Sequence, residues 1–246
     1  MWWHAGWTLE YCAIDPQRLR GIELERANRG KMKLISVSVG LPRDVTWHGK
    51  QVTTGIFKQP VDGRLALRKL NLDGDRQADL SVHGGEDKAV YCYPIEHYEY
   101  WSRELPGRAL PYGSFGENFT TQGLLEDGVY IGDRFSVGSA QIVVTQPRLP
   151  CYKLGIRFGM PDMVKRFQHS GRTGFYLAVL REGEVTADEV IEFVVSDEHG
   201  VTVADIVTLY TSDAENQEML RRASNLAALP DGWRDYFRKR LWKPDA

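Results

Sequence analysis

Cysteine is scarce in this chain: Cys12, Cys92 and Cys151 are the three in 246 residues, and none forms a Cys-x-x-Cys pair. That excludes a disulfide framework and the common zinc spacings, so reduced thiols are expected. Neither His-Glu-x-x-His nor Gly-x-Ser-x-Gly occurs, which removes support for zinc hydrolases and serine esterases of the usual designs. No stretch approaches the roughly 20 consecutive apolar residues that span a bilayer. The N-terminus also lacks the basic region and apolar run of an export signal. The expectation is a cytoplasmic protein without a membrane partner. Neither sign of charge dominates: the net charge is −2 with signs interspersed, so no basic stripe is available to neutralise the phosphates of a nucleic-acid polymer. Internal repeats and low-complexity segments are lacking too.

What is present suits a β-rich fold. Hydrophobic residues make up 42% of the chain and aromatics 11%, enough for a proper core, and the length allows one large domain with a modest appendage. Residues 1–31 show no strand or helix period and read as a leader, with Met32 as the expected biological start. Strand-like runs then recur from Lys33–Val39 through Val52–Phe57, Leu65–Leu70, Ala89–Tyr93, Val129–Ile131, Arg134–Val137, Gln141–Thr145, Phe175–Leu180 and Ile191–Val195. Turn residues such as Asp62-Gly63, Asp73-Gly74 and Gly132-Asp133 separate them. This density predicts a barrel over residues 32–198. Helical spacing at Ile95–Leu105 and Met163–His169 predicts covering helices. Residues 199–246 predict a small three-helix region, opened by a capping box at Thr202-Val-Ala-Asp205.

Four segments can carry chemistry. In Gln146-Pro-Arg148-Leu-Pro-Cys151-Tyr-Lys153 two prolines end a strand, and Arg148 and Lys153 favour the thiolate of Cys151, the form that binds metals. A buried structural cysteine is the alternative. His83-Gly84-Gly85 can bring backbone N–H groups close to an anion, or can be a plain turn. Gly116-Glu117-Asn118 offers a carboxylate and a carboxamide for a polar heterocycle, or a satisfied loop. Lys58 can be an anion contact at a barrel rim or a solvated strand-end lysine.

Taken in order, Asn71-Leu-Asp-Gly74-Asp75-Arg-Gln77-Ala78-Asp79, His83-Gly84-Gly85, Phe115-Gly116-Glu117-Asn118 and Gln146-Pro-Arg148-Leu-Pro-Cys151 resemble the MOSC family, and the C-terminal helices resemble its YiiM-like branch. The resemblance implies a largely antiparallel β-barrel with covering helices that binds the molybdenum cofactor (molybdopterin), with Cys151 as the metal ligand. It also implies reduction of N-hydroxylated compounds, including hydroxylaminopurines, with electrons from a partner reductase. A homodimer is compatible with this. On this reading Cys151, His83 and Lys58 are the catalytic candidates. Arg148, Gly84, Gly85, Gly116, Glu117, Asn118 and Lys153 are the candidate cofactor contacts. Arg148, always charged, suits the pterin phosphate, and His83 or Lys58 can supply a proton. A non-catalytic cofactor or sulfur carrier would carry the same motifs, and a purely structural barrel module would bind no molybdenum.

Overall fold

The structure is a computed structural model that describes residues 31–79 and 84–242. His83 and all of the expected leader except Lys31 lie outside the described residues. An eight-stranded sheet forms the frame, in the order β12-β8-β9-β10-β6-β7-β1-β4. Its strands are β1 (Lys33–Val39), β4 (Gln59–Pro60), β6 (Val90–Pro94), β7 (Phe119–Gln122), β8 (Arg134–Val137), β9 (Ala140–Pro147), β10 (Phe175–Arg181) and β12 (Ile191–Val195). Two further antiparallel pairs join β2 (Arg43–Trp47) to β3 (Lys50–Thr54) and β5 (Leu65–Leu67) to β11 (Gly183–Val185).

All pairings are antiparallel except β6 with β7, whose connection runs through the helix α1 (Glu96–Glu104) and a long loop. The sheet curls until its ends approach each other. The Leu34 amide donates to the Glu189 carbonyl at 2.9 Å, and the amides of Asp188 and Ile191 donate to Leu34 and Met32 carbonyls at 2.7 and 3.0 Å. The expected barrel is therefore observed as a curled, partly closed sheet with a parallel step. Residues 129–131 do not form the expected strand beyond a single bridge from Tyr130 to Thr202. Their neighbours are instead the segment before the C-terminal helices: Ile131 donates to Val201 and Val203 donates to Val129, each at 2.9 Å.

Three helices cover one face. α1 follows the expected boundaries, as does α3 (Met163–Ser170), which ends on Gly171 at φ 66°. Between them lies α2 (Tyr152–Phe158), to which the sequence assigned no element. It is buried on most sides, so it lacks the one-sided apolar period that marks a surface helix. These helices press Trp101 and Phe167 onto Tyr93 of β6, beside Phe115 from the loop before β7, on which Phe158 packs. The Trp101 indole donates to the Tyr93 hydroxyl at 2.7 Å, so the polar edges inside this aromatic cluster are paired.

The C-terminal helices are α4 (Val203–Thr211), α5 (Gln217–Asn225) and α6 (Asp231–Arg238). The capping box is present: the Asp205 amide donates to the Thr202 hydroxyl at 3.0 Å and the Thr202 amide to the Asp205 carboxylate at 2.9 Å. α6 reaches the barrel through the Trp233 indole, which donates to the Gln146 side chain at 2.8 Å. Among the described residues, no helix is long and apolar enough to cross a membrane.

Candidate functional site

Strand β9 ends at Pro147, whose ring supplies no donor to continue the ladder. The chain then turns through Arg148 to Cys151, which is the N-cap of α2 and only partly buried. Cys92, by contrast, is fully buried within β6, and burial pushes its thiol above the ordinary range, as befits an inert packing residue. Cys151 opens into a cavity of about 90 Å³ at one end of the sheet.

Segments far apart in sequence wall this cavity. Thr54 ends β3 and Gly55, Ile56 and Lys58 follow it, Arg76 to Ala78 form the loop before the glycine-rich segment, and Gly116 and Asn118 precede β7. Tyr91 comes from β6 and Tyr176 from β10. The first two walls touch closely: a Cβ on Gly55 would lie 2.5 Å from the Arg76 carbonyl oxygen, so only glycine permits this approach.

Among the described residues, Lys58, Arg76, Lys88, Arg148 and Lys153 line the cavity and no carboxylate does. In a chain with a net charge of −2, this is a strong local excess of positive charge. Arg148 is buried, with its guanidinium over the rings of Tyr91 at 4.8 Å and Phe167 at 5.1 Å, and its Nη1 has no hydrogen-bond partner. A buried donor left open calls for an acceptor from outside the chain.

Behind the wall, Asp75 sorts these groups. Its carboxylate accepts from Lys58, from the Gly40 amide at 2.9 Å and from the Asn118 amide at 2.9 Å. Asn118 in turn donates to the Ser38 carbonyl at 3.2 Å and accepts from the Tyr91 amide at 3.1 Å. Burial pulls Lys58 below the ordinary lysine value against the opposing pull of Asp75, and burial likewise lowers Lys88 against Asp87. Both ammonium groups therefore give up a proton more readily than a solvated lysine.

The structure thus brings Lys58, Gly116, Asn118, Arg148, Cys151 and Lys153 around one cavity. It does not bring Glu117 there, which corrects the expectation of a cofactor contact. That side chain points into the core, where it accepts from Tyr98, from the Gly113 and Phe115 amides at 2.8 and 3.0 Å, and from Thr120 at 3.2 Å. Backbone donors two and four residues upstream capture it before it can face the cavity. Gly84 lines a neighbouring cleft, and Gly85 begins the short 3-10 turn Glu86–Lys88. Arg76 and Lys88 join the cavity residues without a sequence signal of their own, Arg76 standing inside the Asn71–Asp79 motif and Lys88 three residues after Gly85.

The cavity fits an anionic group carrying a thiophilic metal. Cys151 offers a soft donor, and the cations with the unpaired Arg148 Nη1 offer places for phosphate. Among the described residues, no cluster of three or more His, Cys, Asp or Glu could hold a metal by itself. A metal at Cys151 would take its remaining ligands from the group that carries it.

Comparison with known proteins bears on the family and the fold. The MOSC domain family matches residues 79–192, and the YiiM-like 3-alpha helix domain matches residues 201–243. The uncharacterized protein YflK of Bacillus subtilis is 41% identical over 210 residues, which cover 85% of this chain and 95% of that protein. Protein YiiM of Escherichia coli is 41% identical over 191 residues, covering 76% and 84%. A protein of Gibberella moniliformis named a reductase is 36% identical over 146 residues, covering 58% of this chain and 26% of that larger protein. Among solved structures, YiiM from Geobacillus stearothermophilus superposes with a TM-score of 0.72 at 35% identity, covering 86% of this chain and all of that one.

Proposed function

Because the chain belongs to the MOSC family and carries the YiiM-like three-helix domain, we propose that it is a molybdenum-cofactor-dependent oxidoreductase that reduces N-hydroxylated compounds such as hydroxylaminopurines. The observation that carries this reading is a partly exposed thiol in a cavity whose described lining is cationic and free of carboxylates. The fungal relative named a reductase supports the reaction class. When bound, the molybdenum cofactor supplies the two electrons that N–O reduction requires, replenished by a partner reductase.

In this reading Cys151 Sγ is the protein's ligand to the metal. The Arg148 guanidinium, with its open Nη1, and Lys153 hold the phosphate of the pterin. Reduction of a hydroxylamine to an amine and water consumes two protons along with the two electrons. Lys58 Nζ and Lys88 Nζ, which line the cavity and whose proton affinity burial lowers, are the groups we assign to deliver them. Asp75 holds Lys58 at the wall and favours its charged form. Tyr91 and Tyr176 exclude water from the inner face.

The test is full-length protein produced with cofactor supply, assayed for turnover of 6-hydroxylaminopurine with an electron donor, alongside Cys151→Ser. The expected result is turnover by the wild type and loss of at least nine-tenths of molybdenum and activity in the variant. A variant that retains both overturns Cys151 as the ligand. Molybdenum retention without turnover by the wild type would favour the carrier function instead.

A further inference from the structure

Beside the thiol cavity lies a larger cleft of about 500 Å³. Its two sides differ in origin and in chemistry. One side is the end of the barrel, with Asp87, Lys88 and Gln146 among its polar groups. The other comes from the C-terminal helices: Tyr210 stands in the last turn of α4, and Trp233 and Tyr236 stand on α6. Lys88, Leu149 and Tyr176 line both the cleft and the thiol cavity, so the two spaces share a boundary.

The helical side is built from aromatic carbon. Tyr210 meets Trp233 edge-on, with centroids 5.3 Å apart, and meets Tyr236 at the same distance. Phe237 packs behind Trp233 at 5.7 Å. The Trp233 indole N–H is already committed to Gln146. What the indole offers the cleft is therefore ring surface rather than a donor, with its orientation set by that bond and by Phe237. Tyr210 remains exposed although it belongs to this cluster. A helix needed only to cap the barrel would bury such rings against it, whereas here they line an open cleft that adjoins the thiol cavity.

We propose that this cleft is the recognition site for the planar heterocyclic ring of the substrate, so that the three-helix domain supplies the specificity-determining wall of the enzyme. Resting on the proposed function of the Cys151 cavity, it places a ring against Trp233 and Tyr236 and directs the ring's N-hydroxyl substituent past Lys88 toward the thiol. Flat rings gain most from such a wall, because stacking rewards area and tolerates different edge patterns. The Asp87 carboxylate opposite can accept from ring N–H groups.

The experiment uses full-length protein of measured molybdenum content, titrated with adenine, the amine counterpart of a hydroxylaminopurine, by calorimetry. The wild type is expected to bind. Trp233→Leu and Tyr236→Ala are expected to weaken binding about tenfold or more. Trp233→Phe, which keeps a ring but loses the bond to Gln146, should stay within about threefold. Molybdenum content should be unchanged in all three, because none of these residues lines the thiol cavity. Thermal melts establish folding, and if Trp233→Leu fails to fold, Tyr236→Ala and Tyr210→Ala carry the test. Folded aromatic variants that bind adenine as tightly as the wild type overturn the proposal, as does a wild type that does not bind it. Cys151→Ser separates this outcome from the previous one. It should lose molybdenum yet bind adenine normally, and if it keeps molybdenum and activity, the assignment of the thiol fails while the cleft stands.

Discussion

Glu117 owes its position to donors close by in the chain. Its carboxylate sits fully buried, held by Tyr98, Thr120 and two backbone amides, and burial raises its pKa above the ordinary carboxylate value. The folded state therefore binds its proton more readily than the unfolded chain does. Its contribution makes stability fall as pH rises from the ordinary carboxylate range through the raised value. Glu117→Gln should remove that component from a denaturation series against pH. It should also cost about 1–3 kcal/mol, since an amide cannot accept from all these donors at once. Asp75 is a second buried acid, held instead by donors distant in the chain: Lys58, the Gly40 amide and Asn118. Asp75→Ala should destabilise the protein by about 3–5 kcal/mol in chemical denaturation, because Lys58 would be left as a buried charge without its partner. A sequence motif names both acids equally well. The motif does not show that backbone donors just upstream tie Glu117 down in the core, while Asp75 is left to brace a cavity lysine.

At the scale of elements, the strands and caps most visible in the sequence are those written in an unbroken local run of residues, even where the partner strand is distant, as for β1 with β7 and β12 with β8. β1, β8 and β12 run over the expected residues, and the capping box of α4 was readable from Thr202 and Asp205 alone. Thr202→Ala should cost about 1 kcal/mol, read as a lower midpoint in thermal unfolding. Residues 129–131 form no strand because their pairing with residues 201–203 stops at a single bridge where α4 begins, and α2 has no readable period because it is buried on most sides. Two walls of the cavity meet at Gly55. Gly55→Ala should force the Arg76 backbone away, destabilising the fold by about 1–3 kcal/mol and lowering molybdenum retention measured on purified protein.

The whole molecule is nearly neutral, yet it gathers lysines and arginines around one thiol. Binding of an anionic cofactor there should depend on ionic strength in a way the net charge would not suggest. Raising salt from about 0.05 to about 0.5 M should weaken cofactor uptake by the unloaded protein several-fold, followed by molybdenum analysis after gel filtration. Uptake indifferent to salt would place the dominant contacts on uncharged groups instead. At this scale, the three-helix domain also acquires its role, because α6 meets the barrel through the Trp233 to Gln146 bond next to the motif that carries Cys151.

By itself, the sequence determined the family, a β-rich barrel-like frame, the cap of the C-terminal helices and the unusual setting of Cys151, because each is written in short runs of neighbouring residues. The tertiary structure alone decided which motif residues face the thiol. It turned Glu117 inward, brought Arg76 and Lys88 to the cavity, and set an aromatic wall from α4 and α6 beside it. The reason is the order of strands in the sheet. Placing β10 beside β6, and β6 beside β7, joins segments tens of residues apart, and such convergence leaves no periodicity in the chain to be read.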